Sequence, residues 1–142
     1  DGVPHLMIRF SRCCNPVPGD QILGYITRGK GVAVHRIDCP SLPTETERFI
    51  KVEWDTEDTG VYPITIKIEA TDRMNLLTEI MNLVSLMKIN VSAANIRSEK
   101  GESNLEFTIE VGHLNEAKEL VGKIRTIEGV ESVYRVNKTR KR

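Results

Sequence analysis

The residues with the plainest chemistry are Cys13, Cys14, His35 and Cys39, which gather all three cysteines and one of three histidines between positions 13 and 39. Thiolate and imidazole are borderline-soft donors, and four of them complete a tetrahedral zinc shell with no water. His35 and Cys39 stand four apart, an ordinary spacing for one pair of ligands. Cys13 and Cys14 are adjacent, so in extended backbone their side chains would point to opposite sides. Both can reach one ion only where the backbone turns, and Asn15-Pro16 is a natural place for that turn. The spacing leaves two other readings open. One cysteine can be a small apolar side chain of the core and another a free thiol. Alternatively, Cys14 or Cys39 could be a nucleophile with His35 as its base. The nucleophile reading lacks an orienting carboxylate and a unit large enough to suggest a substrate cleft. An odd cysteine count with two neighbours argues against a disulfide framework. Gly29-Lys30-Gly31 lacks the spacing of a nucleotide cradle and reads as a hairpin turn.

The elements that must position these residues belong to a chain of 142 residues with 20 Lys+Arg against 20 Asp+Glu, long enough for one domain or two small ones. Residues 1–42 carry five basic side chains against three acidic, residues 43–60 two against six, and the remainder thirteen against eleven. Arg9, Arg12, Arg28, Lys30 and Arg36, with His5 and His35, would form a local basic face for phosphates if the fold gathers them. On charge alone a solvated surface is the stronger reading of them. No apolar run approaches the roughly 18 residues of a membrane span, and no leader pattern is present, so a cytoplasmic protein without membrane contact is expected. Opening on Asp1 and closing on Lys138, Arg140, Lys141 and Arg142, the sequence reads as a piece of something larger.

From Tyr62 the pattern is legible. Strict alternation through Ile64, Ile66, Ile68 and Ala70 predicts a half-buried strand. Asp72 is the expected N-cap of a helix of about four turns that buries Met74, Leu77, Ile80, Met81, Val84 and Met87. Val91 to Arg97 and Leu105 to Val111 read as a hairpin turning over Ser98 to Ser103. Leu114, Ala117, Leu120, Val121, Ile124 and Ile127 repeat the helical spacing, Gly129 is a stop, and Val130 to Val136 is a last strand. Strand, helix, strand, strand, helix, strand is the order of a ferredoxin-like sandwich.

The first part is shorter. His5 to Phe10, Gln21 to Thr27, Gly31 to Arg36 and Arg48 to Trp54 read as strands, Asn15 to Asp20 as a turn, and Asp38 to Thr46 as a short helix. So small a core needs a staple, a metal or a neighbour. The expected class is α+β: a small, mostly β N-terminal module with a short helix at 1–56, a linker at 57–61, a ferredoxin-like βαββαβ domain at 62–138 and a basic tail at 139–142.

At the level of motifs, RCCNPVPGDQILGYITRGKGVAVHRIDCPSL, residues 12–42, resembles the cysteine-containing module, also described as a zinc finger or RIS domain, of long RelA/SpoT-type stringent-response enzymes. The stretch 62–137 resembles the ACT domain that follows it in that family. The resemblance implies a regulatory end of a bifunctional synthetase and hydrolase of guanosine tetra- and pentaphosphate, (p)ppGpp, with the catalytic domains absent here. It implies that Cys13, Cys14, His35 and Cys39 match the family's zinc ligands. It further implies contact with large-subunit ribosomal RNA while the enzyme detects deacylated tRNA, with Arg28, Lys30 and Arg36 as the phosphate contacts. Other implied partners are the catalytic domains of the same parent chain and a second copy joined through the ACT domain. ACT domains also bind amino acids near the loop that here reads Asp72, Arg73, Met74, Asn75 and Leu76, so sensing of a branched-chain amino acid at a dimer interface is the alternative expectation. Asn75 stands where the common pattern has Gly, which puts an extra side chain in that loop.

Overall fold

Short apolar runs separated by turn-forming residues make the N-terminal part a small sheet. A computed structural model describes residues 7–27, 29, 31–43, 48–55 and 60–136 of the chain. Its first sheet contains β1 (Met7–Phe10), β2 (Ile22–Ile26), β3 (Gly31–Arg36) and β4 (Phe49–Ile50), ordered β1–β3–β2–β4. The strand β3 runs parallel to β1 and antiparallel to β2, with Leu23 opposite His35 and Gly24 opposite Val34. Val32, Ala33 and Val34 of β3 are buried, whereas the residues of β2 and β4 are at most partly covered, apart from Gly24. The strand expected over Arg48 to Trp54 shrinks to two residues. Trp54 leaves the sheet to stack on Phe10, and its indole N–H donates to the Asp20 carbonyl at 3.0 Å. Where a short helix was expected, residues 37–43 form turns, closed by bonds from the Cys39 and Leu42 N–H groups to the Arg36 and Cys39 carbonyls. The rest of that interval, the start of the first expected strand and most of the linker lie outside the described residues.

The second half follows its alternation closely. It contains β5 (Tyr62–Thr71), α1 (Leu76–Leu86), β6 (Asn90–Glu99), β7 (Glu102–Val111), α2 (Leu114–Ile124) and β8 (Val130–Val136). The strands form one antiparallel sheet in the order β6–β7–β5–β8, the ferredoxin-like arrangement. Ile64, Ile66 and Ile68 of β5 and Leu105, Phe107 and Ile109 of β7 enter the core beneath the helices. The hairpin is tighter than its charged sequence suggests. Lys100 and Gly101 alone make the turn, both at positive φ, and the strands extend to meet them.

The first helix departs from expectation at its start. Asp72 is not its N-cap; Asn75 is, at φ 71° and without a side-chain bond, and the helix spans three turns rather than four. Its buried face is Leu76, Ile80 and Val84, a strict i, i+4, i+8 stripe. Leu76 is 3% exposed while Met74 is 83% exposed, so of the six residues expected on the buried face Met74 and Leu77 face outward, whereas Ile80 and Val84 are buried. The chain leaves the end of β5, an interior strand, before it winds, and Arg73 holds that crossing by donating to the Glu128 carbonyl and to both Glu79 oxygens. Among the described residues no helix is long and apolar enough to cross a membrane.

The turn expected at Asn15 to Asp20 proves to be the junction between the halves. Val17 is 0% exposed and belongs to the core of the second domain, not of the first. The Pro18 carbonyl accepts the Leu114 N–H at 2.7 Å, at the first residue of α2. Asp20 accepts the Val17 N–H at 2.9 Å and receives both terminal nitrogens of Arg135, at 2.9 and 3.0 Å. Arg135 sits on β8 opposite Ile66, an inward position where a cation needs a partner, and Asp20 supplies it. Gly19 has φ +107°, and a Cβ there would lie 2.7 Å from His113 Cε1 and 2.8 Å from Leu114 Cβ. Gly19→Ala is therefore expected to lower unfolding free energy by about 2 kcal/mol or more in denaturant melts. Gly29→Ala, with nothing within 4 Å of the added carbon, should stay within about 0.5 kcal/mol.

Candidate metal centre

The adjacent cysteines converge because the backbone turns beneath them. The Ser11 carbonyl accepts the Asn15 N–H at 2.9 Å, and Asn15 takes φ 45°, a left-handed conformation that Asn tolerates better than most residues. The Ser11 N–H in turn donates to Val34 on β3. His35 lies on the same strand, and Cys39 lies in the turn that follows it. The four donor atoms fall within 4.8 Å of one another. Cys13 Sγ is 3.4 Å from Cys39 Sγ and 3.5 Å from His35 Nδ1, and Cys14 Sγ is 3.9 Å from that nitrogen. Cys14, His35 and Cys39 are buried and Cys13 is half-buried. This set could hold a metal ion.

The surroundings suit anionic sulfur. The Arg36 N–H donates to Cys14 Sγ at 3.3 Å and the Ser41 N–H to Cys39 Sγ at 3.4 Å. On the far side of the imidazole, Ser11 Oγ lies 3.2 Å from His35 Nε2, which fixes the ring and leaves Nδ1 aimed at the sulfurs. Without a cation Cys13 and Cys14 resist ionisation. Burial, opposed in part by the Arg36 N–H, pushes Cys14 up to about 12, and burial together with Cys39 raises Cys13. Burial and the nearby Arg9 charge lower His35, keeping its ring neutral and free to donate a lone pair.

Arg36 faces inward. It is 8% exposed, and its guanidinium donates to Asp38 at 3.0 Å and to the Cys14 carbonyl at 3.3 Å. Arg28 and Lys30 lie outside the described residues. Arg135, Asp20 and Ser11 were not singled out by sequence, since a strand arginine, a turn aspartate and a serine carry no spacing signal. The unusual string Pro16-Val17-Pro18, an apolar residue locked between two prolines, was the available hint. A cleft of about 680 Å³ opens beside this junction, with Arg36, Arg125 and Arg135 on its walls. Each of the three already donates to a carboxylate or a backbone carbonyl. At the opposite end of the second domain, Asp72, Met74 and Asn75 are exposed, Leu76 is buried, and Arg73 is tied to Glu79.

Comparison with known proteins matches residues 1–55 to the RelA/SpoT RIS domain and residues 58–135 to the ACT domain. The chain is 42% identical over 138 residues to a GTP pyrophosphokinase of Myxococcus xanthus, with 96% of this chain and 18% of that protein covered. It is 38% identical to the GTP pyrophosphokinase of Streptomyces coelicolor, covering 99% of this chain and 17% of the relative. It is 37% identical to the bifunctional (p)ppGpp synthase/hydrolase RelA of Mycobacterium tuberculosis, covering 95% and 19%. The chain thus spans less than a fifth of the length of these relatives. In fold, it is similar to the solution structure of the ACT domain from a Chlorobium tepidum GTP pyrophosphokinase, with TM-score 0.51 and 20% identity over 58% of this chain and 93% of that one.

The cluster makes stability depend on pH in a way that a bound metal would alter. Because His35 is lowered from 6.5, the unfolded chain takes up its proton first, and metal-free stability falls as pH drops through 6.5. Because Cys14 is raised from 9.0, the folded chain keeps a proton that the unfolded chain loses, and stability falls again as pH climbs past 9.0. Denaturant melts of the chelated protein should show both declines. Metal-loaded protein, whose thiols are already deprotonated, should lose the alkaline one.

Proposed function

The chain belongs to the RelA/SpoT family, as an RIS domain followed by an ACT domain, and from that membership we propose that it is a non-catalytic regulatory unit of a (p)ppGpp synthetase/hydrolase. Its role is to meet the ribosome and pass that state to catalytic domains elsewhere in the parent chain. The observation that carries this reading is the strap Cys13–Asp20, which joins the cysteine cluster to the ACT core. A contact made on the RIS domain is thereby felt by the ACT domain as a change in one shared segment.

Zinc is the proposed occupant of the cluster. Tetrahedral zinc with Zn–S near 2.3 Å and Zn–N near 2.0 Å sets its donors about 3.5 to 3.8 Å apart. The separations of 3.4, 3.5 and 3.9 Å bracket that range, and a Cys₃His shell leaves no open position for chemistry on a substrate. Zinc here would act as a staple for a sheet whose own core is little more than Val32, Ala33 and Val34.

Arg28 and Lys30, in the link between β2 and β3, are the proposed contacts to ribosomal RNA phosphates. Arg36 would contribute by holding the Cys14 carbonyl, so Arg36→Ala tests the cluster rather than the RNA face. The paired substitution Arg28→Glu/Lys30→Glu should weaken co-sedimentation with ribosomes carrying deacylated tRNA by at least about tenfold at moderate salt, with an unchanged melting curve. Unchanged pelleting of that variant would remove the RNA-face assignment. Pelleting of neither protein at any salt would shift the reading to contacts with the catalytic domains.

A further inference from the structure

Cys14 is held at points that have nothing to do with its role as a donor. Its carbonyl accepts Arg36 Nη1 at 3.3 Å and Arg135 Nη2 at 3.5 Å, and that same Arg135 nitrogen donates to the Asn15 carbonyl at 2.8 Å. Asn15 is the residue at φ 45° whose conformation lets adjacent cysteines face one centre. Arg135 belongs to the other domain, on β8, and Asp20 fixes its fork with two bonds. A planar guanidinium held on one edge by a carboxylate aims its outer N–H in a set direction, and here the free Nη2 hydrogen is shared between the Asn15 carbonyl and, more distantly, the Cys14 carbonyl. From these contacts we infer that Arg135 is a positioning residue of the metal centre: the ACT domain holds the Cys13–Asn15 turn in its ligating shape, and metal binding in return tightens RIS–ACT docking.

The inference rests on the reading of the cluster as a metal site and adds a direction to it. Coupling between two binding events is reciprocal, so whatever ACT docking gives to metal affinity, the metal gives to docking. The route is short. Three residues after Cys14, Val17 enters the ACT core, and after Val17 the Pro18 carbonyl holds the Leu114 N–H that opens α2. A turn that loosens at Cys14 therefore pulls directly on the start of an ACT helix. Loss of metal would be read in the ACT domain as a freed Leu114 amide. Undocking of the ACT domain would be read in the RIS domain as weaker metal binding.

The test uses the 142-residue chain. Cobalt(II) loading, followed by the absorption of tetrahedral thiolate-bound cobalt, first establishes whether the cluster binds a metal. Zinc affinity is then measured by competition with a chromophoric chelator in the wild type and in Arg135→Lys, which keeps the charge opposite Asp20 but loses the fork. In parallel, hydrogen exchange at the Leu114 amide of the wild type is followed with and without zinc. We expect zinc affinity to fall about tenfold or more in Arg135→Lys, the usual loss when a group supporting a ligand is removed. Exchange at Leu114 should slow about tenfold on adding zinc, with amides of the β5–β7 ladder unmoved. Unchanged affinity in a folded Arg135→Lys, or Leu114 exchange indifferent to zinc, overturns the coupling while the metal site stands. Absence of any cobalt spectrum in the wild type overturns the metal reading and this inference with it. The exchange arm uses unmutated protein, so it decides the coupling between metal binding and docking even if the variant does not fold.

Discussion

The burial of Val17 is the constraint on which the arrangement of the two domains depends. One valine side chain from the RIS domain completes the core of the ACT domain, and burying it is worth about 2 kcal/mol. That gain requires its backbone to arrive in one conformation. Pro16 and Pro18 narrow the choices on either side, Asp20 closes the turn on the Val17 N–H, and Gly19 passes where no Cβ fits. Arg135 then meets Asp20 as a paired ion rather than as a stray cation at the edge of a core. Hydrophobic insertion and charge pairing reinforce each other here, since each places the partner groups of the other.

The cysteine cluster is the second centre, and its electrostatics oppose it until a cation arrives. Cys13 and Cys14 share a crowded site with a third sulfur and one imidazole, and burial together with those neighbours raises both thiols. The Arg36 N–H on Cys14 softens this opposition without resolving it. A divalent ion would resolve it by replacing thiol protons with a doubly charged cation shared among the sulfurs. An ion held there would crosslink the turn after β1, the end of β3 and the turn beyond it, in a sheet with little apolar core of its own.

The two domains differ in how much they can do alone. The ACT core spans two helices and a sheet, and it takes from outside one buried side chain, Val17, the counter-charge of Asp20 and the Pro18 carbonyl. The RIS sheet borrows both from its cluster and from its neighbour, with Phe10 and Trp54 packed on Tyr62 at the first residue of β5. At the far side of the ACT sheet, β6 is an edge strand exposed along almost its whole length, Ile96 among its open residues. Such an edge is available to a further chain. Docking on one side and an open edge on the other suit a unit placed between partners.

Local pattern determined the ACT half. Period-two alternation of Ile64, Ile66, Ile68 and of Leu105, Phe107, Ile109 leaves one sheet face to bury, and β8 begins and ends where the sequence predicts. It failed at α1, where Leu76 and Leu77 are equally apolar and only the crossing from the sheet decides which points inward. The four metal-binding candidates were legible because soft donors are rare and their clustering is visible in one dimension. Their supports were not, because Ser11, Asp20 and Arg135 are common residues whose roles come from what lies across from them in space. The string Asn15 to Asp20 shows the difference most clearly. By itself it specified a turn, since Pro and Gly restrict backbone angles locally. That the turn would carry a valine into another domain's core was decided only by the tertiary structure, because burial depends on neighbours more than a hundred residues away along the chain.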